Sequence, residues 1–534
     1  MRKIKYLFAF SAVALLSLAA CNSNKNPYGD LPEETDANLV EKIDIVESAI
    51  DPSKGEDERE YAIYGNVYLP AEVDGAKLSW WSSNPKVINP KKSGDAAPGE
   101  VTRPNKDTQV TLVAQVDKNG EKTKYEKTVT VKAAAPEIDD EDYKGYLFGH
   151  FIGEGTGTTV DGVKIATGEQ IFFALADVGK GLHFKDMNGS TSSNLKPVLS
   201  SDVGERGVRD PYMCRSPEGD TFYLIATDLS IYTRGGWGSN NGNYSTKTGS
   251  LSIIIWESHD LVNWTHARQI KVARDDAGMA WAPEMIYCEE TGEYLIFFSS
   301  TILDKYDNED RSKNSSSNII LRDSVYYTTT RDFVHFGETK QFIPNTPYQD
   351  GVSRSESEPN ATNNDKRKVI DGSVMKIGDY YYSAAKDGGN GEQGGGIRIQ
   401  RTQDLYDANW EFVMNLADAG FKVGPKNNPN ERDANNTCLE GPEWFYLNQA
   451  DRKDPDVPEI GLMADYYANT SVGYIPFTTT DIDDVDNSNE SWRKLQDGAD
   501  DGYSWDAQTK RHGTILRITA EEAERLKEAY PIAE

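Results

Sequence analysis

Cysteine is scarce in this chain. Its four thiols, Cys21, Cys214, Cys288 and Cys438, lie far apart, so neither a disulfide framework nor the close ligand spacing of a metal finger is present. Cys214, Cys288 and Cys438 read as small buried hydrophobes. Positive charge is also in deficit: 57 Lys and Arg stand against 86 Asp and Glu, a formal net charge of −29. Such a surface repels nucleic acid and anionic lipid and keeps an exported protein soluble. The apolar run from Tyr6 to Ala20 is too short to span a bilayer comfortably. What the chain has in quantity is aromatic residues (28 Tyr, 17 Phe, 10 Trp) and 45 Gly. That mixture favours strands with tight turns over helix bundles. At 37% hydrophobic and 27% charged residues the composition is that of a folded globular protein.

Arg2, Lys3 and Lys5 precede the apolar run, which ends in Leu18-Ala19-Ala20-Cys21. Basic start, apolar centre and small residues before a Cys resemble the lipobox of bacterial lipoproteins. The resemblance implies a signal peptide over 1–20, lipid on Cys21 and a cell-envelope location, anchored to the outer membrane on its periplasmic or surface face. Residues 21–35 are polar and read as a tether. Residues 36–133 form a first folded unit: a short helix over 39–49, then alternating strands at Leu78–Ser82, Val110–Val116 and Lys127–Lys132. The strings WWSSNPKVI, GEVTRP, VTLVAQV and KTVTVK resemble bacterial Ig-like domains, which implies a small β-sandwich serving as spacer or glycan-binding module. The segment 134–142, AAAPEIDDE, reads as a linker.

Residues 143–534 repeat themselves. Aromatic strands YLFGHF, FYLIAT, YLIFFS, YYYSAA and IGLMAD recur, each followed by a second strand such as SIIIWES or SVYYTTT. A third element, RDPYM, APEMIY, IDGSVM or EGPEWFY, precedes four of them. Repeats of several short strands predict a five-bladed β-propeller, so the fold class is all-β. Gly513–Ile518 supplies the missing fifth copy and is expected to complete the blade begun by YLFGHF, which removes an exposed sheet edge. Thr519-Ala-Glu-Glu522 reads as a capping box opening a terminal helix.

The third elements line the central channel of such a fold, and three begin with acid: Asp210, Asp371 and Glu440, expected at corresponding registers. Converging carboxylates are what glycoside hydrolysis needs, one to activate water and one to protonate the leaving oxygen. A third nearby carboxylate raises the acid's pKa. Residues 143–518 resemble glycoside hydrolase family 43 through Arg209-Asp-Pro211, Ile370-Asp-Gly-Ser373, Glu440-Gly-Pro442 and Trp281-Ala-Pro283. The resemblance implies Asp210 as general base, Asp371 as pKa modulator and Glu440 as general acid. It places Trp281 and Glu284 on the substrate-pocket wall. His512 is implied as ligand of a possible structural calcium ion in the channel; the chemistry itself requires no cofactor. Families 32 and 68 share the Arg-Asp-Pro motif but add an N-terminal nucleophile and a Glu-Cys motif that this chain lacks, which argues for inversion. The activity implied is that of an exo-acting α-L-arabinofuranosidase on plant cell-wall glycans. β-Xylosidase, exo-galactanase and endo-arabinanase are alternatives within the family. A non-catalytic glycan-binding lipoprotein is the alternative from another class. Inserts at 228–250, 301–322 and 341–368 are expected to wall the pocket.

Overall fold

The computed structural model describes residues 25–49, 61–92, 97–155, 157–160, 163–239, 245–303, 321–344, 369–387, 396–407, 409–421, 438–469, 472–508 and 510–532. Cys21, the leader, and most of the inserts expected at 301–322 and 341–368 lie outside these residues. Among the described residues no helix is long and apolar enough to cross a membrane.

The first unit opens with helix α1 (Ala37–Ile43), capped by the Asp36 side chain. This helix is shorter than the sequence predicts. Asp44 leaves the helical conformation, and its carboxylate accepts the Tyr125 hydroxyl; Ser48 and Ala49 then pair with Tyr61 and Ala62 as strand. A four-stranded antiparallel sheet follows, from β1 (Glu72–Val73), β2 (Ala76–Ser82), β3 (Thr108–Lys118) and β4 (Glu121–Val131). Alternation along β2 buries Ala76, Leu78 and Trp80 on one face. The layer covering that face is made of Leu39 and Ile43 of α1 with Ile45, Ile63, Val67 and Ile88, so the second half of the sandwich is largely without a sheet of its own.

Among the described residues of the rest of the chain, five four-stranded antiparallel sheets form, with two short two-stranded pairings beside them. The first uses β5 (Tyr143–His150), β6 (Phe172–Asp177) and β7 (Lys185–Asp186). The second is β8 (Val208–Arg215), β9 (Phe222–Asp228), β10 (Ser252–Ser258) and β11 (Arg268–Lys271). The third is β12 (Trp281–Cys288), β13 (Glu293–Leu303), β14 (Leu321–Thr330) and β15 (Lys340–Ile343). The fourth is β16 (Val369–Ile377), β17 (Tyr380–Asp387), β18 (Gly396–Thr402) and β19 (Glu411–Asn415). The fifth is β20 (Glu440–Tyr446), β21 (Ile460–Asp465), β22 (Tyr474–Thr479) and β23 (Trp492–Lys494).

Strand β24 (Gly513–Thr519) returns to pair with β5, placing Gly513 against His150 and Ile515 against Phe148. The last strand thus completes the first blade, as its sequence predicts. Helix α2 (Ala520–Ala529) follows with a full Thr519–Glu522 capping box, and Glu522 also takes both Arg215 guanidinium nitrogens at 2.7 and 2.8 Å. Apolar side chains from neighbouring blades interleave, so each blade is buried against the next: Ile255, Phe298 and Tyr326 share one such cluster and Trp410, Phe297 and Val374 another.

Candidate active site

Four of the five inner strands, β8, β12, β16 and β20, carry the same defect near their starts. Pairing is regular at Arg209, Trp281, Ile370 and Glu440, then slips, then resumes at Tyr212, Glu284, Ser373 and Glu443. The residue that begins each slip has a left-handed backbone: Asp210 (φ 49°), Ala282 (φ 45°), Asp371 (φ 53°) and Gly441 (φ 52°). A side chain in that region costs roughly 1–2 kcal/mol. Bulges of this kind re-aim side chains beside active sites. Asp210 and Asp371 therefore occupy equivalent places. Glu440 stands one residue earlier, level with Arg209, so the three acids do not share one register as the sequence predicts. Gly441 takes the bulge itself because a Cβ there meets the His512 ring at 2.6 Å.

Side chains from each blade stitch these bulges to the next blade. Thr227 Oγ1 donates to Asp210 Oδ2 (2.9 Å) and accepts the Ala282 N–H (2.7 Å). Ser299 Oγ accepts the Asp371 N–H (2.8 Å), and the Gly441 N–H donates to Asp371 Oδ2 (3.2 Å). His512 Nδ1 lies 3.6 Å from Asp210 Oδ1, and its ring packs on Gly441. Arg511 Nη2 lies 3.6 Å from Glu440 Oε1 and its Nε donates to Asp465 (2.6 Å). Asp210, Asp371 and Glu440 are thereby gathered at one end of the channel.

Burial and the neighbouring charge of Glu440 push Asp371 up to about 7, against the pull of Lys386. For Glu440 the balance runs the other way. Burial raises it, but Lys386, then Arg511 and His512, bring it below the ordinary carboxylate value. The sequence reading has Asp371 keeping Glu440 protonated. The Lys386 ammonium, 2.5 Å from Glu440 Oε2, outweighs that effect, and of these two carboxyls it is Asp371 that is raised.

Trp281 borders the site, packed edge-on against Trp237 at 6.0 Å; Trp237 is 41% exposed. Arg209 is clamped over the Phe151 and Trp237 rings and paired with Glu169 at 2.8 Å and Glu154 at 3.2 Å. Glu169 also accepts Ser230 Oγ and the Ile231 and Tyr232 N–H groups, which fixes the loop leading to Trp237. Glu284 is not on this wall. It follows the bulge, is 3% exposed, and forms a deeper channel layer with Glu443, which accepts Thr514 Oγ1 (2.8 Å). Burial and then the Glu443 charge push Glu284 well above its ordinary range; burial takes Glu443 to about 8 against the hydrogen bond from Thr514.

His512 is drawn below its ordinary value first by burial, against the pull of Asp210. A calcium ion asks for roughly six to eight oxygen ligands. Among the described residues no three His, Cys, Asp or Glu converge on a point that could hold a metal, so the side chains around His512 do not make up a protein-built cage. Lys386, Trp237, Arg209 and Glu443 were not singled out from the sequence. Glu443 carries a visible signal, since Glu440-Gly-Pro-Glu443 repeats the spacing of Trp281-Ala-Pro-Glu284. Lys386 carries none: it lies on a second strand, 54 residues before Glu440.

Comparison with known proteins bears on these features. Residues 44–134 match the family model of an atrophied bacterial Ig domain, and residues 141–524 match that of a probable glycosyl hydrolase domain related to family 43. A Bifidobacterium longum protein named as an alpha-L-arabinofuranosidase is 30% identical over 438 residues; the match takes in 76% of this chain but 36% of that longer protein. Similar solved structures include an exo-β-1,3-galactanase from Clostridium thermocellum (11% identity, TM-score 0.36, 83% of this chain and 69% of that one). Another is an α-L-arabinofuranosidase from Lactobacillus brevis (17% identity, TM-score 0.32, 57% and 75%). Since its family model spans residues 141–524, most of the sequence, this chain belongs to the glycosyl hydrolases related to family 43.

Proposed function

We propose that the propeller is an inverting, exo-acting α-L-arabinofuranosidase that removes arabinose from plant cell-wall glycans. The observation that carries this reading is the convergence of Asp210, Asp371 and Glu440 on one channel end beside the Trp237–Trp281 wall. Asp210, hydrogen-bonded by Thr227, takes the proton from the attacking water. Glu440 gives its proton to the departing glycosidic oxygen. Asp371, which accepts the Gly441 N–H, tunes the acid. The choice of arabinose rests on the Bifidobacterium relative's name.

The test is hydrolysis of a panel of nitrophenyl glycosides and plant polysaccharides, with the product anomer read by NMR. Arabinose released with inverted configuration is the expected result. Xylose or galactose release moves the enzyme to another activity of the family, endo cleavage of arabinan removes the exo assignment, and no turnover on any member favours a glycan-binding protein.

The protein also works, on this reading, from the cell envelope, tethered through lipid on Cys21. The run ending Leu18-Ala19-Ala20-Cys21 supports it. Cys21→Ala is expected to move the protein from the membrane fraction to the soluble fraction; unchanged membrane retention refutes the anchor.

A further inference from the structure

Lys386 sits near the end of β17, paired with Ile370 beside the Asp371 bulge. Its Nζ donates to Glu440 Oε2 at 2.5 Å and stands 4.5 Å over the Tyr467 ring. The two side chains are only 22% and 25% exposed. An ammonium has donors and no acceptor, so Oε2 can only accept from it. Oε1 faces another donor, Arg511 Nη2 at 3.6 Å. Both oxygens of the proposed acid thus face cations, and the free site holds Glu440 as a carboxylate. A general acid must nevertheless carry a proton when the glycosidic bond breaks.

We propose that Lys386 is a positioning residue that aims Glu440 and keeps it ionised in the free enzyme, and that substrate hydroxyls drawing off the Lys386 ammonium let Glu440 take one proton from solvent. That proton is the one later passed to the leaving oxygen, so substrate binding is linked to uptake of a single proton. The inference rests on Glu440 being the acid. Among the described residues, Glu440 is faced by Lys386 of β17, Tyr467 after β21, Asp465 of β21, Arg511 and His512 before β24 and Asp371 of β16; Asp210 of β8 acts in turn on Asp371 and His512. Lys386 makes the direct contact and is the largest favourable charge on Glu440. Its removal raises the acid's proton affinity, whereas loss of a merely structural contact leaves that affinity in place.

The experiment compares pH profiles of kcat/KM and kcat for wild type, Lys386→Met, Lys386→Gln and Lys386→Arg. It uses the fastest alkyl or oligosaccharide substrate, whose poor leaving group demands the acid. In wild type the alkaline limb of kcat/KM, which reports the free enzyme, is expected below that of kcat. Lys386→Met or Lys386→Gln moves the kcat/KM limb up by about one pH unit or more, a tenfold change in proton affinity; Lys386→Arg retains the wild-type order. An alkaline limb that stays in place in a folded Met or Gln variant overturns the proposal. Infrared titration of the Glu440 carboxyl, assigned by loss of its band in Glu440→Gln, reads the same shift without turnover. If wild type cleaves no glycoside, the hydrolase reading falls, while the infrared titration still decides whether Lys386 holds Glu440 ionised.

Discussion

At the scale of single residues, the site separates its carboxylates by what each can touch. Asp210 receives one neutral hydroxyl and lies 3.6 Å from His512; on the proposed reading it is the base. Asp210→Ala is expected to lower kcat by roughly 10²–10⁴-fold on every substrate, because no other group activates the water. Glu440→Ala is expected to be as severe on oligosaccharides but to cost less than about tenfold on nitrophenyl glycosides, whose leaving groups need little protonation. Steady-state kinetics on one substrate of each kind checks both; equal damage by Glu440→Ala on the two substrates removes Glu440 from the acid role. These positions were legible because Arg-Asp-Pro, Ile-Asp-Gly-Ser and Glu-Gly-Pro are local strings. The proton balance was not. It depends on Lys386 and Arg511, which reach Glu440 only through the fold. Trp237 was hidden for a similar reason: it sits in a loop held by Glu169, a contact across blades that no motif announces.

At the scale of elements, the blades were readable because each repeats aromatic and aliphatic strands closed by Gly turns, and the closure of β24 on β5 followed from one missing copy. Helix α1 was overextended because apolar spacing continues past Asp44, whereas the Asp44–Tyr125 contact ends the helix. The bulges were not legible either. Left-handed backbone at Ala282 or Asp371 has no sequence mark comparable to the glycine at 441. They set the layer of each channel residue, and they send Glu284 below the site to join Glu443. That buried pair has a consequence for stability. The folded state holds a proton on Glu443 up to about pH 8, whereas an unfolded chain releases it near 4.3. Stability from this buried pair is therefore full below the unfolded value and declines as pH rises towards 8. Glu443→Gln keeps the acceptor for Thr514 and removes the titration. The wild-type melting temperature is expected to fall between about pH 5 and about pH 8, and that of Glu443→Gln to fall less. Parallel curves for the two proteins sink the assignment.

At the scale of the whole molecule, strand direction decides what the Ig-like unit can do. The inner strands β8, β12, β16 and β20 begin at the active site, so their following hairpins lie at the other end of the propeller. The Ig-like unit docks there. Arg103 forks onto Asp220, in the β8–β9 turn, at 2.8 and 2.7 Å. Asn66 donates to Tyr287 Oη and the Gly292 carbonyl at the β12–β13 turn, and Arg331 donates to the Pro98 carbonyl. Two ring pairs add to the seam, Tyr64 on His259 at 3.8 Å and Tyr68 on His335 at 4.5 Å. With this many directional contacts the unit is a fixed base for the propeller, set at the end opposite Asp210, Asp371 and Glu440. Arg103 is 5% exposed at its side chain, so its charged hydrogen bonds are of the kind worth about 1.5–3 kcal/mol. Arg103→Ala is expected to cost that order of stability at the seam, seen as an earlier first transition in urea and faster proteolytic release of the Ig-like unit. Hydrolysis of a small aryl glycoside by the still-folded propeller is expected to keep its wild-type kcat and KM. An Arg103→Ala enzyme with unchanged unfolding, or with an altered KM for the small substrate, would show that the seam is not the independent base that its contacts describe.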